Sequence, residues 1–263
     1  MMEWGFKRLS AIAVAMAALM PAAAHAAACG NDGSGFERWK QAFAQEAASA
    51  GVKGRGLDAL ASAKYATATI KVDRAVRKAF SGDVNSFMKR RGGATIISKG
   101  KSLKKQHAKL FADLERRYGV PAGPLLAIWG METGFGGFMG KQNTVSAIVT
   151  LAYDCRRPQF FAPHAIAALK LVDAGVINAS SVGAAHGEIG HTQFLPGNVL
   201  KYGVGSMNLR EMSTALASTA NFLRAHGYRG GAASANPGAI AGWNSASVYQ
   251  QAIIIMADAI DGN

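Results

Sequence analysis

A mostly α-helical chain is what this sequence predicts. Three observations carry that expectation. Apolar residues recur at spacings of three and four, as the buried stripe of a helix requires. Glycines interrupt these stripes where helix ends would fall. Long alternating runs of β type are absent, and no internal repeat is evident. The chain has 263 residues, 49% of them hydrophobic, which suffices for one sizeable core with a small satellite lobe.

Taken in order, residues 1–26 stand apart. Lys7 and Arg8 precede an apolar stretch at 9–20, and Ala24-His25-Ala26 has the small-x-small form of a signal-peptidase site. This reads as a secretory signal cleaved after about Ala26. The apolar run is short for a membrane span, so the mature protein is expected in the periplasm and soluble. Phe36, Trp39, Phe43, Ala47 and Ala50 mark an amphipathic helix ended by Gly51, and 57–63 is a second, short one. Residues 67–71 are β-branched and read as extended. Residues 73–80 and 84–91 read as helices, and 95–118 as one long solvated helix capped by Gly119. Helices are also expected at 143–151, 158–174, 209–226 and 248–260, with a Gly/Ala/Ser-rich loop at 230–242. Residues 29–104 form an N-terminal helical segment packed on a core at 105–263.

The most informative stretch is 125–136, Leu-Leu-Ala-Ile-Trp-Gly-Met-Glu-Thr-Gly-Phe-Gly. Prolines at 121 and 124 suit a helix start, and the segment is apolar nearly all round, so it should be buried on most sides. Glu132 then falls in the last turn of a buried helix. Desolvation and the negative helix end both favour its protonated form, and a carboxylic acid that keeps its proton can act as a general acid. The competing reading is a capping or ion-paired glutamate. A second constellation, residues 187–196, reads Gly-Glu-Ile-Gly-His-Thr-Gln-Phe-Leu-Pro. Its polar side chains either satisfy a turn or face a cleft, and Gln193 can both donate and accept, as sugar hydroxyl and acetamido groups require.

Cysteine and charge bound the rest. Cys29 and Cys155 are the two cysteines outside any targeting segment, and in an oxidising compartment they pair most simply as a disulfide. The loop so closed would contribute about 4 kcal/mol in the chain-entropy picture. A lipid anchor on Cys29 is the alternative, but the lipobox leucine is missing and Cys155 would be left free. The net charge is +13, from 29 Lys+Arg against 16 Asp+Glu. Such a balance favours an anionic partner, and export points to a wall polymer or lipid surface rather than nucleic acid. His186 and His191 lack a helical i, i+4 relation and a companion set of ligands, so no metal or cofactor is expected. Calcium loop, phosphate loop and Gly-x-Ser-x-Gly elbow are absent from the sequence.

Seven segments fall in a familiar order. They are Tyr-Gly-Val-Pro at 118–121, Ile-Trp-Gly-Met-Glu-Thr-Gly-Phe-Gly at 128–136, Met-Gly-Lys at 139–141, Leu-Ala-Tyr-Asp-Cys-Arg-Arg at 151–157, the 187–196 motif, Ala-Asn-Phe-Leu-Arg-Ala-His-Gly at 220–227 and Trp-Asn at 243–244. Together they resemble the B-type lytic murein transglycosylases, glycoside hydrolase family 103, from about residue 36 to the end. The resemblance implies a lysozyme-like α-helical catalytic domain with an open cleft. It implies cleavage of the β-1,4 bond between N-acetylmuramic acid and N-acetylglucosamine, leaving a 1,6-anhydro ring. One glutamate, here Glu132, would make both proton transfers. Gln193, Phe194, Trp243, Asn244, Glu188, Phe160 and Tyr153 would contact the glycan. Its partners would be peptidoglycan strands and cell-envelope assemblies, and the protein would act as a monomer. A hydrolytic muramidase using Glu132 and Glu188, or a non-catalytic wall-binding protein, are the alternatives.

The sequence also departs from the family. The calcium loop of its best-known members is shortened here to residues 202–209, so no metal is carried over. A serine found in some members is Ala184 here, and Glu188 stands where some members have an apolar residue.

Overall fold

The computed structural model describes Met1 and residues 28–263; the expected signal peptide and its cleavage site lie outside the described residues. The described chain is mainly helical. In order come α1 (Phe36–Ser49), α2 (Gly54–Ser62), α3 (Thr67–Ala79), α4 (Val84–Arg90), α5 (Gly93–Gln106), α6 (Ala108–Tyr118) and α7 (Ala122–Thr133). Then follow α8 (Thr144–Tyr153), α9 (Pro158–Asp173), α10 (Pro196–Tyr202), α11 (Met212–Ala225), α12 (Pro237–Trp243) and α13 (Ser247–Asp261). A two-residue antiparallel ribbon pairs β1 (Gln142–Asn143) with β2 (Val182–Gly183).

The fold is built around α7. Every residue of this helix is buried except Glu132. An apolar helix with no polar face can be stable only when neighbours cover it on all sides, and α5, α6, α11 and α13 do so. Gly123 lets α13 approach closely: a Cβ there would lie 2.3 Å from the Ala257 carbonyl oxygen. The Asp261 carboxylate, at the end of α13, accepts from the Gly123 amide at 3.0 Å. An acid at a helix N-terminus satisfies an orphan donor and complements the dipole. Lys104 pairs with the same carboxylate at 2.7 Å, so α5, α7 and α13 meet at one point.

A second apolar cluster lies beside the first. Phe36, Trp39 and Phe43 of α1 and Leu60 of α2 pack on Val149, Leu151 and Tyr153 of α8 and on Phe161 and Leu169 of α9. Cys29 is disulfide-bonded to Cys155, which ties the start of the described chain to this cluster. The N-terminal segment is thus divided. Its first two helices cover α8 and α9, whereas α4 and α5 cover α7 and α13.

Three local expectations are corrected. Residues 67–71 are helical, not extended; Thr69 and Asp73, one turn apart, are buried at 0% and 2% exposure, and this packing overrides β-branched propensity. The stretch 95–118 is two helices broken at His107 (φ −113°, ψ 33°), which rotates the buried face from Ile96 and Gly100 to Phe111, Leu114 and Tyr118. The loop at 230–242 contains α12, started by Pro237 and held by buried Ala239 and Ile240. The β1–β2 ribbon is too short for any periodicity to reveal.

Candidate active site

Glu132 sits one residue before the end of α7, where Gly134 turns left-handed (φ 60°) and closes the helix. Its Oε1 accepts from the Tyr249 hydroxyl at 2.6 Å and from the Trp243 indole N–H at 3.2 Å. Tyr249 comes from α13 and is 1% exposed; Trp243 ends α12. Among the described residues, no Lys, Arg or His stands within ion-pair distance of Glu132. The carboxyl is therefore not locked in a salt bridge. Burial pushes its pKa above the ordinary carboxylate range, the hydrogen bonds from Tyr249 and Trp243 pull it back, the Glu188 charge raises it further and Arg91 opposes.

The 187–196 segment is held against α7 by the backbone. Ile189 and Phe194 exchange amide hydrogen bonds at 2.8 and 3.1 Å, closing a tight hairpin whose tip contains Gly190 and Gln193. Gly190 has φ +74°, and a Cβ there would meet the Leu209 carbonyl oxygen at 2.1 Å, so the turn needs glycine twice over. Gln193 also takes positive φ (55°), and its amide nitrogen donates to the Gly190 carbonyl at 2.7 Å. His191 locks this hairpin to α7. Its carbonyl accepts from Thr133 Oγ1 at 2.7 Å, its Nδ1 accepts from the Trp129 indole at 3.0 Å, and its Nε2 donates to the Arg210 carbonyl at 3.1 Å. Burial pushes the His191 pKa down, in keeping with a neutral ring that accepts on one side and donates on the other.

Glu188 enters the same cleft from this segment. Both of its oxygens are engaged by His186, one by the backbone amide at 2.8 Å and one by Nδ1 at 3.0 Å. His186 Nε2 faces Asp73 at 3.4 Å. Asp73 is itself buried and accepts from Arg156 at 2.5 Å and Arg157 at 2.7 Å. Arg74 pairs with Asp154 through both nitrogens at 3.0 and 2.7 Å. Burial alone would push the His186 pKa down, but the Glu188 carboxylate beside it, with help from Asp73, holds it above its ordinary value.

A cleft of about 460 Å³ is lined by Glu132, Glu188, Gln193, Phe194, Trp243 and Asn244 among others. The structure thus brings six of the expected site residues together. Phe194, 2% exposed, lies edge-on to Trp243 (5.1 Å) and supports the cleft from below. Two expected residues lie elsewhere. Tyr153 is corrected: it is 2% exposed in the second core, its ring against Phe36, Trp39 and Tyr65, because α8 turns it inward. Phe160 is exposed, edge-on to Phe161 and His164, and is not among the cleft-lining residues. Ala184 lines the cleft without a side-chain donor.

Two residues were not anticipated. Tyr249 falls in the helix expected at 248–260, and nothing in the sequence aims its hydroxyl. Arg91, which follows α4 and closes the helix expected at 84–91, lines the cleft. Among the described residues, no three His, Cys, Asp or Glu side chains converge as a metal set. The shortened loop does not fit calcium either: its nearest carboxylate, Glu211, accepts from Asn208 and Thr214.

Comparison with known proteins adds a family. The model of the family described as transglycosylase SLT domain matches residues 35–237. Membrane-bound lytic murein transglycosylase B of Escherichia coli (strain K12) is 32% identical over 118 residues, which are 42% of this chain. That match spans only 33% of the length of the curated relative. Among solved structures, SltB3 from Pseudomonas aeruginosa in complex with NAG-anhNAM-pentapeptide superimposes with a TM-score of 0.78. It is 26% identical, and the match covers 88% of this chain and 80% of that one. The Escherichia coli lytic transglycosylase Slt35, in complex with calcium, shares the fold with a TM-score of 0.75 at 19% identity, covering 89% and 96% of the two chains.

Proposed function

The chain belongs to the transglycosylase SLT domain family, and on that premise we propose that it is a lytic transglycosylase of peptidoglycan. It cleaves the β-1,4 bond between N-acetylmuramic acid and N-acetylglucosamine and leaves 1,6-anhydro-N-acetylmuramic acid. The observation that carries this reading is the setting of Glu132. It is the one charged residue of the buried helix α7 and the one residue there that is not buried, it lines a cleft, and both protein hydrogen bonds fall on Oε1. Oε2 is thereby left for the substrate.

The steps follow from that geometry. Burial keeps the carboxyl protonated at higher pH than an exposed glutamate, so Glu132 can donate its proton to the glycosidic oxygen as the C1–O bond breaks. The resulting carboxylate, steadied by Tyr249 and Trp243, takes the proton of the muramoyl 6-hydroxyl as O6 bonds to C1. The acid is regenerated and no water is consumed. Because the nucleophile belongs to the substrate, a second carboxylate is not required, unlike in ordinary glycosidases. The bound anhydro sugar of SltB3 supports the same product here.

The hydrolytic reading needs Glu188 as a free base, and both of its oxygens are committed to His186. A non-catalytic wall-binding protein would have no use for a carboxyl held in this way. The site of action is the periplasm, the substrate is peptidoglycan strands, and the positive surface raises encounter with their carboxylates. Among the described residues no helix is long and apolar enough to cross a membrane.

Mass spectrometry of digested murein tests the proposal. Anhydro-muropeptides are expected from the wild type, and Glu132→Gln should lower their release at least about 10²-fold. Reducing-end muropeptides, or an undiminished Glu132→Gln enzyme, would overturn it.

A further inference from the structure

Among the described residues, all but one of the charged groups lining the cleft have a hydrogen-bonding or ion-pairing partner. Glu132 accepts from Tyr249 and Trp243, Glu188 is held by His186, and His186 stands between Glu188 and Asp73. Arg91 is the exception: among the described residues no carboxylate lies within ion-pair distance of its guanidinium. Its position is nevertheless defined. It follows the last residue of α4, its backbone amide bonds back to Phe87 and Lys89, and its guanidinium lies 5.6 Å from the ring of Phe87, one turn earlier. Phe87 is fully buried, so the cation rests on a fixed platform. A guanidinium laid on an aromatic face keeps the donors around its edge available. Beside it, α3 supplies Val72, an exposed apolar side chain lining the same cleft. Glu188 enters the cleft from the 187–196 segment with the opposite charge, so an anion in the cleft is drawn to Arg91 and repelled from Glu188.

We propose that Arg91 binds a carboxylate carried on the 3-O-lactyl arm of the muramoyl residue, and so selects which ring is presented to Glu132. This rests on the functional reading above. The acetylated glucosamine units are neutral, so only the muramoyl arms can supply an anion. It is the lactyl acid itself on peptide-free strands, or a stem-peptide carboxylate on substituted ones. A planar fork matches either group with two parallel hydrogen bonds, whereas an ammonium offers only a point charge. Val72 provides an apolar shelf suited to the methyl group of the lactyl or alanyl unit. Arg91 touches substrate in this assignment but exchanges no proton.

The test is steady-state kinetics of wild type, Arg91→Met and Arg91→Lys on three substrates: peptide-bearing strands, strands freed of peptide by an amidase, and strands whose carboxylates have been converted to methylamides. Arg91→Met retains an apolar stem on Phe87, and a thermal melt checks that it folds. For both variants KM should rise about tenfold on carboxylate-bearing strands, the scale of one charge-assisted pair, with kcat within about twofold. The first two substrates tell which carboxylate is bound. On methylamide strands the wild type should itself show the raised KM, and the substitutions should add nothing. An unchanged KM on both anionic substrates would overturn the assignment. So would a kcat loss equal on all three with KM unchanged, because Arg91 would then act through Glu132 and not on the muramoyl arm. A wild type that releases no anhydro-muropeptide would instead overturn the functional reading.

Discussion

The Tyr249 hydroxyl donates to Glu132 Oε1 at 2.6 Å, joining residues 117 apart in sequence. Tyr249 is buried, and burial followed by the Glu132 charge holds its pKa well above the ordinary tyrosine value. It therefore remains a donor across neutral and moderately alkaline pH. A donor on Oε1 makes that oxygen the carbonyl of the protonated acid and leaves the proton on Oε2. In the carboxylate state the same bond stabilises the charge. In the reaction proposed above, one hydroxyl serves both halves.

Tyr249→Phe should separate these roles. The hydrogen bond lowers the Glu132 pKa against burial, so its loss should move that pKa further up. The pH–rate limb that reports Glu132 ionisation should shift to higher pH, and kcat should fall about tenfold, within the range of a lost preorganised donor. A rate profile identical to wild type would show that Trp243 alone suffices.

Glu132→Gln should stabilise the protein, with a definite pH dependence. The folded pKa of Glu132 lies above its unfolded value, so the folded state binds the extra proton. The stability contributed by this group is present below the unfolded pKa of about 4.3 and is lost as pH rises through the folded pKa. The variant lacks this loss. Its melting temperature should exceed that of the wild type at pH 8 and converge with it near pH 4, as expected where function is bought with stability. Melts at the two pH values check this.

Asp73→Asn should destabilise by about 3 kcal/mol, the low end for breaking a buried ion pair, because its arginine partners are 32–41% exposed. Burial would raise the Asp73 pKa, but the hydrogen bonds and charges of Arg156 and Arg157 outweigh it and hold the pKa below the ordinary value. Its stabilisation is therefore present above the unfolded pKa and lost as pH falls through the folded one. His186 has the opposite sign: its contribution is present below about pH 6.5 and lost as pH rises through its raised pKa. Urea unfolding from pH 3 to 8 should show the largest penalty for Asp73→Asn between these limits.

Removing the disulfide by Cys29→Ser with Cys155→Ser should cost roughly 2–5 kcal/mol, since it closes a loop between residues 126 apart. The melting temperature of the wild type should fall to that of the double variant on addition of reductant, and that of the variant should not respond. The products of murein digestion should stay the same, because neither sulfur lines the cleft.

Much of the fold was legible because it follows from local pattern. The apolar run around Glu132 can only be a buried helix, and in the observed α7 that side chain is the one not fully buried. Gly51, Gly119 and Gly227 ended helices where expected. Pattern failed where distant packing decides. Thr69 is helical because its face is buried, and His107 breaks a continuous amphipathic stretch that periodicity alone would run through. Tyr153 belongs to a motif that also carries Asp154, Arg156 and Arg157, yet its own ring points to the core.

By itself the sequence determined the helical class, the burial of the central helix, the position of its single acid and a cysteine pair able to bond. Each depends on composition and spacing within a few turns, where the helical period ties sequence distance to direction. Only the tertiary structure decided which groups meet that acid: Tyr249 and Trp243 from the far end of the chain, and Arg91 and Glu188 within its electrostatic reach. Those contacts depend on how whole helices are laid against one another, and that is set by the sum of many apolar contacts, not by any one residue's neighbours in sequence.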